Sequence, residues 1–489
     1  MVATEEGWGF VKWFKRDNSA ATSFLVSAAV WLVIGTLFGL ILTIEYLFPD
    51  FARGIPWLVF GRLRQAHTNT VLFAWLSGAM MGCWLYIVPR LTGRKIYSEL
   101  LGHFSSIAWN LALLFGIVAI LNGQSQSREY AELIWIVDVA VMIVLLTNAF
   151  NILMTIGHRV EPKLYVSLWY IIATVVLFPI LYFIGNVMWA PPTGALTGIN
   201  DTIFNWFYGH NVLGLWFTTG LLAIIYYIIP KETGTPLYSM ALSLIAFWGV
   251  LFFYTGVGAH HLLWAPIPYW LQTIAVAESF GMVIPVVAFG FNILLTMRGN
   301  WHHVRSSVPL LYALTGWASY VIVSFQGSDQ ALRGVNELTH FTGYVPGHAM
   351  FALIFLAAST CMAGAFYIVP RVHGCVLYSR RLARAQYAFY FIGFVAFFLG
   401  FLIGGAVQGS AWVHMGLPVW TVLPGLRPWS ALRIMGGALI VTSFVMFAWN
   451  IIATIIVKRP FELPDLTVRR IVTPISATSP GIVAEVDPR

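Results

Sequence analysis

Apolar runs longer than about 18 residues, the length needed to cross a bilayer, recur along almost the whole chain of 489 residues. Clusters of Pro, Gly and charge separate them, and the pattern predicts twelve spans, at 22–48, 57–89, 99–121, 133–157, 164–189, 202–229, 237–262, 268–297, 308–326, 340–370, 382–407 and 431–457. No segment alternates apolar and polar positions as a barrel strand would. The expected fold class is therefore an all-α membrane protein, a bundle of about 12 transmembrane helices. Length alone, at about 150 residues per domain, would suggest three soluble domains, but the apolar runs override that prior. The expected organisation is an N-terminal segment at 1–21, one membrane domain at 22–457 and a polar tail at 458–489.

Composition agrees, since 59% of residues are hydrophobic and 9% charged, against roughly 25% charged in an average soluble domain. The formal charge of +8 does not point to nucleic acid, because the cations sit singly or in small groups between apolar runs. With a cytoplasmic N-terminus, 20 of the 27 Lys and Arg residues fall on the inner side. The positive-inside rule then places both termini in the cytoplasm. The first twenty residues are amphipathic rather than a short apolar run with a cleavage site, which reads as a retained segment. The Pro-containing tail reads as surface-lying or disordered. Cys83, Cys361 and Cys375 form neither CxxC nor CxxCH, so they read as packing residues and no covalent haem is encoded. No internal repeat is evident.

The histidines carry the chemistry. His158, His302, His303 and His373 fall in inner loops and read as solvated. His67, His210 and His348 each lie some eight to ten residues into spans 2, 6 and 10 as these enter from outside, roughly 12–15 Å deep. His260 and His261 lie at the outer end of span 7, so four helices bring imidazoles to one depth. A lone intramembrane histidine is usually a hydrogen-bonded bundle residue, but five at matching depth point to a metal or haem site, because ligation satisfies ring nitrogens that otherwise lack partners. Consecutive histidines point about 100° apart on a helix. His260 and His261 can converge only at an irregularity, which Gly256 and Gly258 supply. With His210 they make a three-nitrogen site that leaves a position open, suited to copper or iron. His348 and Met350 lie about 200° apart and address opposite sides of span 10. Tyr254, two turns before His261, is placed to donate a proton and an electron beneath such a site.

The ordered stretches "GRLRQAHTNTVLFAW", "QSREYAELIWIVD", "FYGHNVLG", "YYIIPKETGTPLYS", "YTGVGAHH" and "LTHFTGYVPGH" resemble the catalytic subunit of cbb3-type cytochrome c oxidases, the C branch of the heme-copper oxidases. The resemblance implies the heme-copper oxidase subunit I fold and reduction of O2 to water in a bacterial inner membrane. Electrons would come from membrane-anchored c-type cytochrome subunits. It implies that His67 is an axial ligand of a low-spin haem b, that His348 holds a high-spin haem b, and that His210, His260 and His261 hold copper. Tyr254 matches the tyrosine linked covalently in this family to the copper ligand of span 6, here His210. Tyr226, Ser243 and Tyr320 match hydroxyls of the family's cytoplasmic proton channel, and their positions below the cluster suit relay through water. Glu129 matches a carboxylate associated with calcium.

Two positions depart from the family. Its span 10 motif has a second histidine, the other low-spin ligand, where this chain has Met350. A His67/Met350 haem of raised potential, a rewired or five-coordinate haem and a lost haem remain open, Met350 being a packing residue in the last two. Gln326 stands where the family usually has a glutamate. Two other readings compete: nitric oxide reduction on the same scaffold, which Tyr254 disfavours, and a transporter without redox cofactors, which predicts no haem absorption.

Overall fold

The computed structural model describes residues 13–189 and 198–460. The expectations for the first twelve residues and for the tail beyond 460 therefore lie outside the described residues. Among the described residues, eleven long helices and one shorter one, α7, run in chain order: α1 Ser19–Leu47, α2 Phe60–Thr92, α3 Glu99–Leu121, α4 Trp135–Gly157, α5 Val166–Val187, α6 Gly198–Thr233, α7 Met240–Tyr254, α8 Tyr269–Thr296, α9 Val308–Gln330, α10 Tyr344–His373, α11 Arg380–Val413 and α12 Val419–Val457. Eleven are long and apolar enough to cross a membrane. The exception is α7, which has only 15 residues and gives way after Tyr254 to a 3-10 turn at Val257–Leu262. Span 7 is thus not one continuous helix, and its break falls at Gly256 and Gly258 as the sequence requires. Helix α12 starts twelve residues before its expected span, with Pro424 and Pro428 inside it.

Three helices form the centre. The apolar stretches of α2, α6 and α10 are 94, 94 and 89% buried, whereas those of the other long helices are 33 to 61% buried. Helices buried all round are apolar all round, and the inner halves Leu72–Val88, Gly214–Ile229 and Phe355–Pro370 are buried throughout. Each central helix also leaves α geometry just after its histidine, with π-helical segments at Thr70–Ser77, Val212–Thr218 and Phe351–Ala358. Such segments are rare and concentrate at functional sites.

A threefold repeat emerges at the C-terminal ends of the three central helices, contrary to the expectation of none. "YIVPRLTGRKIYS" from Tyr86, "YIIPKETGTPLYS" from Tyr227 and "YIVPRVHGCVLYS" from Tyr367 occupy equivalent turns. Pro closes each helix, and a left-handed glycine (Gly93, Gly234, Gly374) caps it. A serine (Ser98, Ser239, Ser379) then caps the next helix by accepting from the backbone three residues on. Asn151, Asn292 and Asn450, each one helix later, staple that serine's backbone with paired hydrogen bonds of 2.9–3.1 Å. The repeat escapes notice in the sequence because each copy is short and the copies are far apart. Tyr86 and Tyr227 both meet Tyr367 edge-on where the three helices converge, at ring separations of 6.3 and 5.8 Å.

His373, at the end of α10, is not a solvated loop residue. It is half-buried and stacks on Trp13 at 5.7 Å. His158, His302 and His303 are exposed or half-exposed, as expected.

Candidate metal centre

The break after α7 brings His260 and His261 beside His210. Ligand atoms of the three lie within 4.8 Å of one another, and ring centroids are 4.5 to 5.1 Å apart. His210 Nδ1 and His261 Nε2 are 2.9 Å apart. His261 stacks on Trp206 at 3.9 Å and 11°. His340, before α10, meets the His261 backbone, and burial holds its imidazole below the usual range. Three convergent imidazoles fit a copper ion as ligands, leaving a further position open.

His348 lies within electrostatic reach of all three histidines, so α10 presents it toward the cluster. Its Nδ1–H donates to Gln326 Oε1 at 3.3 Å, which leaves Nε2 available. Here the departure from the family loses a charge and keeps an acceptor. On α2, His67 Nδ1–H donates to the carbonyl of Gly35 at 2.7 Å, and this likewise leaves Nε2 as the free ligand atom. Gly39 faces the His67 ring so closely that a Cβ there would lie 2.6 Å from Cε1. Although the central helices are close-packed on the inner half, His67, Val71, His348, Met350, Ala352 and Ile354 are only half-buried. Half-buried apolar side chains around two oriented imidazoles are a lining that suits flat, mostly apolar cofactors. Met350 sits where α geometry gives way to the π segment of α10, packed at the edge of the core.

Tyr254 tilts against His210, with ring centroids 5.3 Å apart. Because α7 ends at Tyr254, the two-turn spacing to His261 does not describe a single helix; the turn after α7 and α6 bring the phenol to the cluster instead. From there a file of phenols leads inward. Tyr320 is within electrostatic reach of both Tyr254 and Tyr226, and Phe289 touches the rings of Tyr226 and Tyr320 at 5.0 and 5.3 Å. The Tyr226 hydroxyl faces Ser243 and Asn292, whereas those of Tyr320 and Tyr170 are buried without protein partners, a deficit that bridging water would remove. Ser243, which accepts from Asn292 Nδ2 at 2.9 Å, lies at the inner end. Tyr170 carries no motif and was invisible in the sequence.

In the loop before α4, Glu129 is ion-paired with Arg64. Tyr130 takes a left-handed conformation (φ 62°) that turns the chain sharply between Glu129 and Glu132. Glu132, missed in the sequence, is buried, accepts from Asn69 Nδ2 at 3.0 Å and leaves Oε1 without a partner. Burial, with the nearby Glu129 charge adding to it, pushes its carboxyl up to about 7.

The family model described as "Cytochrome C and Quinol oxidase polypeptide I" matches residues 19–439. Over 451 residues the chain is 29% identical to the cbb3-type cytochrome c oxidase subunit CcoN1 of Stutzerimonas stutzeri, covering 90% of this chain and 95% of that protein. A nitric oxide reductase polypeptide of the same organism matches more weakly, at 25% over 73% of this chain and 77% of that protein. A solved heme-copper terminal oxidase dimer shares the fold, with a TM-score of 0.73 over 90% of this chain and 84% of that chain at 18% identity.

Proposed function

Because the chain belongs to the cytochrome c and quinol oxidase polypeptide I family, as a multi-pass heme-copper oxidase subunit, we propose that its outer-third cluster reduces O2 to water. The observation that carries this reading is the convergence of His210, His260 and His261 within 4.8 Å, with His348 facing them. His210, His260 and His261 would hold copper, His348 a high-spin haem b, and His67 with Met350 a low-spin haem b. When bound, the haem irons and copper supply electron transfer and the sites at which oxygen is reduced.

The protein's own groups orient ligands and deliver protons. His67 and His348 each give Nδ1–H to a fixed acceptor, Gly35 O and Gln326 Oε1, which holds both rings in one tautomer. Tyr254 has its phenol beside His210, placed to give a proton and an electron to the reacting centre. Ser243, Tyr226 and Tyr320, with Tyr170, form the inner route by which protons reach Tyr254 through water. The charge pattern supports uptake from the cytoplasm, with both termini on that side of a bacterial inner membrane. Electrons would enter from membrane-anchored c-type cytochrome subunits. Glu129 and the orphaned oxygen of Glu132 supply the acidic pair for a calcium ion, a hard cation that takes oxygen ligands.

Purified protein tests the reading by metal analysis, a reduced-minus-oxidised spectrum and turnover with each gas. Two haems and one copper per chain with rapid O2 consumption are expected. Iron in place of copper, with faster turnover of nitric oxide than of O2, would sink it, and absence of haem absorption would do so outright.

A further inference from the structure

We infer that Ser279 of α8 is a positioning residue that sets the tautomer of His260 and so selects which of its nitrogens is offered to the metal. The inference rests on the reading of His210, His260 and His261 as copper ligands. Ser279 Oγ lies 2.6 Å from the carbonyl of Ala275 and 2.8 Å from His260 Nδ1, and the residue is 4% exposed. A serine hydroxyl carries one hydrogen, and a carbonyl oxygen can only accept. The hydroxyl hydrogen therefore goes to Ala275, and Oγ accepts from Nδ1–H of His260. That assignment leaves the Nε2 lone pair of His260 for the cluster.

The serine is itself fixed. Ser328 of α9 donates to the Ser279 carbonyl at 2.7 Å, tying two helices together at this point. The neighbouring Glu278 presses its carboxylate against Gly256, where the backbone turns out of α7. A Cβ at Gly256 would overlap Glu278 Oε2, so a larger residue there would have to displace that carboxylate. Helix α8 thus touches the ligand turn twice in succession, once to admit the break and once to orient the imidazole. Among the three ligand residues, His261 is held instead by stacking on Trp206. A hydrogen-bond acceptor behind a metal-bound histidine typically governs retention of the metal by 10–100-fold.

The test uses the full purified protein with Ser279→Ala, Ser279→Cys and Ser279→Thr. The copper-to-iron ratio is followed during challenge with a copper chelator. In parallel, the C–O stretch of carbon monoxide moved onto copper by low-temperature photolysis reports the ligand field. Ser279→Ala is expected to lose copper about 10–100-fold faster, with both haem bands intact and a shifted or split C–O stretch. Ser279→Thr, which keeps the hydroxyl, should match wild type. Should Ser279→Ala lose its haem bands as well, Ser279→Cys decides, since it preserves volume and weakens the acceptor. Copper loss from Ser279→Cys faster than from Ser279→Thr supports the assignment. Equal retention and equal stretches in every folded variant overturn it while leaving the copper reading standing, whereas wild-type protein that binds no copper overturns that reading and the inference with it.

Discussion

Replacing Gly39 by alanine tests whether His67 is a haem ligand, because that one methyl group is aimed at its ring. The added Cβ would lie 2.6 Å from Cε1, 3.1 Å from Nδ1 and 3.3 Å from Nε2. Carbon atoms rest at about 3.5 Å or more, so the ring must retreat from α1 by about 0.9 Å. The same movement opens the 2.7 Å bond from Nδ1–H to Gly35 O, since Gly35 and Gly39 lie one turn apart on α1. Loss of that bond costs about 0.5–1.5 kcal/mol, and overpacking costs about 1–3 kcal/mol. Alanine returns about 0.5–1 kcal/mol through helix propensity. A net penalty of about 2 kcal/mol corresponds to roughly thirtyfold weaker seating of the imidazole. The assay is the haem count with the reduced-minus-oxidised spectrum of the purified variant. Partial loss of the low-spin band is expected, with the high-spin haem retained. Gly437→Ala is the control, because its Cβ would meet Leu40 Cδ1 of the same helix at an ordinary 3.5 Å. A full low-spin band at wild-type haem content in Gly39→Ala would refute the placement of His67 beside that haem.

The other predictions address single groups. Met350→Leu should remove the thioether signature of the low-spin haem in near-infrared magnetic circular dichroism, and an unchanged spectrum excludes axial methionine. Gln326→Glu places a carboxylate where His348 Nδ1–H now meets an amide oxygen 3.3 Å away. Strengthening that bond by about 1 kcal/mol should lower the high-spin haem potential by about 40 mV in a redox titration, and an upward shift would contradict the role of Gln326. Tyr254→Phe should keep haem and copper yet lower O2 reduction by about a hundredfold or more, the scale of a lost proton donor. In the metal-free chain, kept so with a chelator, burial and the nearby Glu129 charge push the Glu132 carboxyl from an ordinary 4.5 up to about 7. The folded state therefore holds the proton more tightly, and this stability is full below about pH 4.5 and lost as pH rises through about 7. In Glu132→Gln the fall of the thermal midpoint between pH 5 and pH 8 should be smaller than in wild type; an equal fall would place the titration elsewhere.

Sequence alone determined the bundle, because the length of an apolar run and its flanking charges are local quantities that a bilayer reads directly. It also set His67, His210 and His348 at matching positions along their helices and required a break before His260, since rise and rotation per residue follow from helix geometry. Tertiary structure decided what each imidazole does with its second nitrogen. Gly35 O, Gln326 Oε1 and Ser279 Oγ come from other helices, and nothing in the spacing of His67, His348 or His260 names them. Three π-helical segments shift the register between the outer and inner halves of α2, α6 and α10. Facing directions counted at 3.6 residues per turn do not carry across them. The pairing of Glu129 with Arg64 and the orphaned oxygen of Glu132 were likewise settled only by packing. Burial and partner choice depend on which helices become neighbours, and periodicity along one helix holds no record of that.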